Sequence, residues 1–251
     1  MENKVSVRLK KIQDYISERG YVSVKQICKH FGISKSTISR DLATLSKEGL
    51  INRFHGGVII AGTSVAAPFK LRSEINKEKK LRIARCAASL VEPGDVIYVG
   101  SGSTCLEFFS SIKVPNVTVF TNNISCLSNY NENIAHVYAL GGEVFPHSET
   151  IFGVQLMNSF SRIMPDKIFF SAPAISDLNI QCANFDEMFF LQALIQRNAK
   201  KFFLCDSSKL SEQRSFIAAN IGDVDVFITD DSISPEYVER IKGMDVEFHA
   251  V

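Results

Sequence analysis

Seven short apolar runs, six of them followed by small polar residues, set the strongest limit on how this chain folds. They occupy residues 96–99, 117–121, 136–140, 167–171, 201–205, 224–229 and 246–250. Each is rich in β-branched and aromatic residues, and stretches of helical periodicity separate them. A strand that is apolar without alternation is one covered on both faces. Strands alternating with helices therefore predict a largely parallel, Rossmann-like α/β sheet with helices on both sides. In such sheets ligands sit beyond the carboxyl ends of the strands. The tails of the runs are Gly100-Ser101-Gly102-Ser103-Thr104, Thr121-Asn122-Asn123, Gly141-Gly142-Glu143, Ser171-Ala172, Asp206-Ser207-Ser208-Lys209 and Thr229-Asp230-Asp231. Gathered at one edge, these residues form a polar pocket.

Among the tails, Gly100 to Thr104 suits an anion best. Glycines allow close backbone approach, Ser101, Ser103 and Thr104 carry hydroxyls, and a helix is expected to follow from about residue 104. Its first N–H groups and positive dipole end attract a phosphate. Lys209 can add a countercharge. A plain tight turn is the alternative reading of the same loop. A dinucleotide fingerprint starting at Gly100 requires glycine where Cys105 stands, and no acidic residue lies near position 120. A Walker loop is excluded because no G-K-[ST] occurs.

The net charge of +1 hides an uneven distribution. Residues 1–60 hold 11 Lys and Arg against 5 Asp and Glu, a balance of +6, and the remainder carries −5. A basic head on an acidic body is what a reader of nucleic acid needs, because phosphate neutralisation acts locally. Within the head, helical periodicity runs over about residues 5–18 and Gly20 is a plausible cap. Ser23 can begin a second helix with Val24, Ile27, Cys28 and Phe31 inward. Gly32 breaks it, Ile33 turns into the core, and Ser34 caps a third helix whose buried stripe is Ile38, Leu42 and Leu45. Helix, short glycine turn, helix is the helix-turn-helix pattern. Lys35, Ser36, Thr37, Ser39 and Arg40 face outward as short hydroxyls and long cations suited to base edges and phosphates. Residues 50–60 read as two strands around Gly56-Gly57, a wing that presents Arg53 and His55 to the DNA; His55 can equally serve only to cap the turn.

These residues resemble the DeoR family of bacterial regulators. Residues 33–42, Leu45, Gly49 and Arg53-Phe54-His55-Gly56-Gly57 follow its head pattern. The body follows it at Glu78-Lys79-Lys80, Ser101-Gly102-Ser103-Thr104, Thr121-Asn122, Gly141-Gly142, Gly153, Asp166-Lys167, Asp206-Ser207-Ser208-Lys209 and Ile228-Thr229-Asp230. The resemblance implies a winged helix-turn-helix over 1–60, a linker over 61–75, and over 76–251 a sensor domain similar in fold to ribose-5-phosphate isomerase. It implies that Ser101, Gly102, Ser103 and Thr104 hold a phosphate, that Thr121, Asn122, Gly141, Gly142 and Lys209 line the pocket, and that Asp41 is structural. Three positions depart from the pattern: Ser39 replaces a frequent Arg, Gly100 replaces a frequent Asp, and 171–175 replaces a G-A-x-G-I-like segment. Glu187 can take over from the missing carboxylate as an acceptor for ligand hydroxyls.

The expected function is a transcription regulator, a repressor by resemblance, bound to double-stranded operator DNA and modulated by a small phosphorylated metabolite, sugar-phosphate-like because the family's sensor domain binds sugar phosphates. Paired heads are needed to read two half-sites, so a homo-oligomer is expected. The alternatives are a sugar-phosphate isomerase carrying a DNA-binding head, with Asp206 or Glu187 as base, and a regulator whose pocket has degenerated. No cofactor or metal is expected. Six scattered cysteines, no signal peptide and no run near the roughly 20 apolar residues that span a bilayer place the chain in the cytoplasm.

Overall fold

The computed structural model describes residues 4–54, 57–60, 68–129 and 131–251. The chain divides into two compact units, Met1–Ile75 and Asn76–Val251.

In the first unit, α1 (Lys4–Arg19), β1 (Tyr21–Ser23), α2 (Val24–Phe31) and α3 (Lys35–Lys47) precede a hairpin of β2 (Ile51–Phe54) and β3 (Gly57–Ile60). Ser23 caps α2 in a reciprocal box with Gln26, and Gly32 ends it at φ 65°. Ser34 accepts from the Thr37 N–H to start α3. Ile12, Ile16, Ile27, Ile38, Leu42, Leu45, Ile51 and Val58 close the core. The sequence reading omitted β1. It pairs antiparallel with β3, so the wing is a three-stranded sheet in the order β1-β3-β2. Gly57 makes room for Tyr21, since a Cβ there would sit 2.3 Å from the Tyr21 hydroxyl oxygen unless that side chain moved. The proposed linker is corrected in part: α4 (Phe69–Glu74) is helical and buries Phe69. Residues 61–67 and 55–56 lie outside the described residues, and with them the expectation for His55.

In the second unit the elements run α5 (Lys77–Ala88), β4 (Val96–Val99), α6 (Ser103–Ser111), β5 (Val117–Thr121), α7 (Ile124–Ser128), β6 (Ile134–Ala139), β7 (Glu143–Phe145), β8 (Thr150–Phe152), α8 (Val154–Phe160), β9 (Lys167–Phe170), β10 (Ala174–Ser176), β11 (Asn179–Cys182), α9 (Phe185–Ile195), β12 (Lys200–Leu204), β13 (Phe216–Asn220), β14 (Val226–Thr229), α10 (Pro235–Lys242) and β15 (Glu247–Ala250). The seven apolar runs become the seven strands of one parallel sheet, ordered β15-β14-β12-β9-β4-β5-β6. Alternate residues feed two cores. Tyr98, Ile168, Phe170, Phe203 and Phe227 pack with α8, α9 and α10 on one face. Ile97, Val99, Phe169, Phe202, Val226 and Ile228 pack with α5 and α6 on the other. The sequence reading missed the hairpin β7-β8 and the antiparallel sheet β10-β11-β13. Both comprise short segments outside the seven runs.

Polar staples fix both ends of this sheet. At the amino end, Lys167 pairs with Asp95 at 2.7 Å and Asp166 accepts from the Val96 N–H at 2.8 Å. At the carboxyl end, buried Asp230 meets the Lys79 ammonium of α5 at 2.8 Å and accepts from the N–H groups of Ser207 and Ser232. Asp206 accepts from Asn76 Nδ2 at 2.9 Å. The Asp206-Ser207-Ser208 segment therefore clamps the start of α5 to the ends of β12 and β14. Burial opposes ionisation of Asp230, but Lys79, Ser207 and Ser232 outweigh it and hold its pKa at about 2. A depressed carboxylate pKa stabilises the fold above its unfolded value, and that contribution fades as the pH falls through the folded value. Asp230→Asn should lower the melting temperature at pH 7 by on the order of 5 °C. It should also flatten the loss of stability between about pH 4 and 2; thermal melts across pH check both.

Candidate functional site: an exposed helix and a strand-end crevice

On the head, α3 shows two different faces. Ile38, Asp41, Leu42 and Leu45 are buried, whereas Ser34, Lys35, Ser36 and Arg40 are exposed and Thr37 and Ser39 are half-buried. Arg8 of α1 grips Asp41 with two bonds, Nε to Oδ2 at 2.7 Å and a terminal nitrogen to Oδ1 at 2.8 Å. Asp41 thus pairs with a neighbouring helix and has a structural role in the head. No ion pair among the described residues engages the adjacent Arg40 or Lys35. Arg53 is exposed on β2. The Ser34 hydroxyl is engaged at home, lying 3.0 Å from both the Ser36 and Thr37 hydroxyls.

In the second unit the strand order reverses between β4 and β9. From β4 the chain proceeds outward through β5 and β6; it then returns to the other side of β4 at β9 and proceeds through β12, β14 and β15. The connecting helices leave on opposite faces there, α6 on one and α9 on the other. Such a switch point opens a crevice at the carboxyl ends of the two strands. A cavity of about 10 Å³ lies at this place. Gly100 and Ser101 reach it from the end of β4, Phe170 and Ser171 from β9, Asn122 from β5, and Glu187 from the first turn of α9.

Local interactions explain the loop's shape. Gly100 N–H donates to the Phe169 carbonyl at 2.8 Å, carrying the β4-β9 ladder past the strand end. Gly102 has φ 104° and, having no side chain, contributes no side-chain cap to α6. The Asn123 amide donates to the carbonyls of Gly100 and Gly102 at 3.4 and 3.1 Å and so holds the loop.

Of the expected pocket residues, Gly100, Ser101, Asn122 and Glu187 come together at the cavity. Ser103 and Thr104 begin α6 and are buried. The Thr121 hydroxyl is spent on the Val99 carbonyl and the Asn123 N–H. Gly142 lets β8 approach, since a Cβ there would meet the Phe152 carbonyl at 2.3 Å. Gly141 adjoins it, and Lys209 stands on a 3₁₀ turn after β12; neither lines the cavity. Sequence reasoning named Asn123 only as part of a strand-end tail and did not select Tyr98, Phe152, Phe170, Phe190, Leu191 or Leu194 as site residues. The apolar ones carry no signal that separates a pocket wall from core. The second asparagine of Thr121-Asn122-Asn123 was a usable signal for a loop brace. Among the cysteines, burial pushes the Cys126 thiol up to about 12, which makes it a small apolar residue here.

Models of two families match this chain. A DeoR-like helix-turn-helix domain covers residues 8–63 and a DeoR C-terminal sensor domain covers residues 75–231. The chain belongs to the DeoR family. It is a DeoR-type transcription regulator with a DNA-binding head and an effector-binding domain, not an enzyme. It is 29% identical to the lactose phosphotransferase system repressor of Staphylococcus epidermidis, over 90% of this chain and 92% of that one. It is 28% identical to an uncharacterized HTH-type transcriptional regulator, YgbI, of Escherichia coli K12, over 91% of each. Among solved structures, a D-ribose-5-phosphate isomerase in complex with phospho-erythronic acid superposes on 53% of this regulator and 54% of its own chain, with a TM-score of 0.38 and 16% identity. No helix among the described residues of the regulator is long and apolar enough to cross a membrane.

Because Arg8 ties α1 to the middle of α3, its loss should be felt where DNA is read. Arg8→Ala should lower the head's melting temperature by roughly 5 °C and weaken DNA binding. Thermal denaturation and fluorescence titration with DNA check both effects.

Proposed function

We propose that this DeoR-type regulator is a cytoplasmic, homo-oligomeric repressor that releases its operator when a phosphorylated small molecule binds the strand-end crevice. The observation that carries the effector reading is the coincidence of three features. The switch point of the sheet, a glycine loop and a helix start without a side-chain cap all meet at residues 100–104. Phosphate would take the N–H groups of that turn and the hydroxyls of Ser101, Ser103 and Thr104. Lys209 supplies longer-range positive charge, and Asn122, Glu187, Thr121, Gly141 and Gly142 shape or support the pocket. The relatives named as repressors support the sign of regulation. The segment over 61–75 carries the change to the head of residues 1–60 from the sensor of residues 76–251.

On DNA, α3 would enter the major groove with Ser34, Lys35, Ser36, Thr37, Ser39 and Arg40, while Arg53 and His55 of the wing follow the backbone or minor groove. A single head contacts too few bases for genomic selectivity, so two copies read two half-sites. One observation favours a second reading, a degenerate pocket: a cavity of about 10 Å³ has room for a single water. The two readings part on ligand binding, because a pocket that opens on demand still binds and a degenerate one does not.

Arg40→Ala and Thr37→Ala should each weaken operator binding by roughly 1–3 kcal/mol in a fluorescence titration, and Lys35→Ala should reduce the salt slope by about one unit. Ser103→Ala with Thr104→Val should abolish the response to organic phosphates while sparing operator binding in their absence. A stable monomer in sedimentation, free and on DNA, contradicts the paired-head reading.

A further inference from the structure

The two edges of the seven-stranded sheet are built differently. Among the described residues β6 pairs with β5 alone and closes one side of the sheet. Residues 135–139 of β6 are all exposed, with Val137 at 38% and Tyr138 at 49%. The segment Ile134-Ala135-His136-Val137-Tyr138-Ala139 contains no Lys, Arg, Asp, Glu or Pro. Charges and prolines are what keep a free edge from pairing with another chain. The opposite edge has such a guard. On β15, Glu247 pairs with Lys200 at 3.2 Å and contacts His249 at 2.8 Å, and Arg82 of α5 donates to the Val251 carbonyl at 3.1 Å.

The backbone of β6 fixes how a second strand would lie against it. The Leu140 N–H donates to the Thr121 carbonyl of β5 at 2.9 Å. Successive residues of a strand turn their N–H and C=O groups to opposite sides. Tyr138 and Leu140 therefore face β5, and Val137 and Ala139 offer their backbone groups outward. The ladder to β5 shifts register at its start, where Val117 pairs with Ile134 and Thr118 with His136, so Ala135 is an extra residue. The regular stretch runs from His136 to Leu140, and its centre is Tyr138.

A second copy laid antiparallel about that centre sets Val137 against the second copy's Ala139, and Ala139 against its Val137. These pairs would exchange about four N–H···O bonds. Tyr138 would meet the second copy's Tyr138 between the bonded pairs, where side chains stand closest, as an aromatic cross-strand pair. Its ring is already held in place by stacking on Phe120 at 4.9 Å and 16°. No two like charges are opposed anywhere along the contact, and a charged partner strand would find nothing to pair with. We infer that two copies of this regulator join edge to edge through β6, antiparallel about Tyr138, so that one sheet runs across the pair. The inference deepens the homo-oligomeric reading given above and rests on it.

Sedimentation velocity of the full chain over a dilution series, free and on DNA, tests it. Tyr138→Lys and Tyr138→Glu each set two like charges against each other across the pair. Each should raise the dissociation constant on the order of tenfold or more. Mixed one to one, the two variants should associate more tightly than either alone, because the opposed charges then differ in sign. Where thermal melts show that the Tyr138 variants do not fold, Ala139→Lys mixed with Val137→Glu reads the same contact, and that mixture too should associate more tightly than its components. An unchanged dissociation constant in the folded variants, or a mixture no tighter than its components, overturns the inference. Either result leaves the homo-oligomeric reading standing and the edge free for a strand of another chain. A parent that stays monomeric, free and on DNA, defeats that reading and this inference together.

Discussion

The reversal of strand order between β4 and β9 is the constraint on which the sensor depends. A parallel sheet needs crossover connections, and their shared handedness sends a helix to one face when the chain moves one way and to the other face when it moves back. Here α6 follows β4 onto one core and α9 precedes β12 on the other, so the helices diverge at the carboxyl ends of β4 and β9. A gap is forced at that point, whatever residues fill it. The loop from Gly100 to Gly102 occupies one side of the gap and the first turn of α9 the other. The head solves a different problem, that of presenting positive charge. Two bonds from Arg8 hold Asp41 on the buried face of α3, while Arg40 beside it stays exposed.

Much of this frame is readable from residues alone, for a definite physical reason. All seven sheet strands are buried on both faces, so their apolar runs are uninterrupted and stand out from the helices between them. The caps at Ser23 and Ser34 and the left-handed turn at Gly32 are local chemistry and are legible for that reason. What escapes detection is either a short hairpin outside the apolar runs, such as β7-β8, or whatever depends on distant partners. Strand β1 has three residues and exists because β3 lies beside it. The sheet of β10, β11 and β13 joins segments about 40 residues apart, with a register shift at Ile180 and Gln181.

The same distinction divides the site. Gly100, Ser101 and Asn122 sit at strand ends, and position along the chain was enough to select them. Lys209, Gly141 and Gly142 sit at strand ends too, but strand order takes them away from the crevice, and sequence position does not reveal that order. The conspicuous Asp206-Ser207-Ser208 motif proves to be a clamp on α5 through Asn76, Lys79 and Asp230. Tyr98, Phe152 and Phe190 look like core residues because they are core residues; they line the cavity by virtue of the topology.

The central claim is that an anion binds at the start of α6, in the crevice that the first turn of α9 helps to line. Hydrogen–deuterium exchange of the full chain, with and without a saturating organic phosphate, addresses it at the level of single segments. The account predicts slowed exchange at residues 100–106 and altered exchange along residues 185–195, with the outer strands β6 and β15 unchanged. Protection confined to other strand ends, or no change at residues 100–106 under saturation, would contradict it.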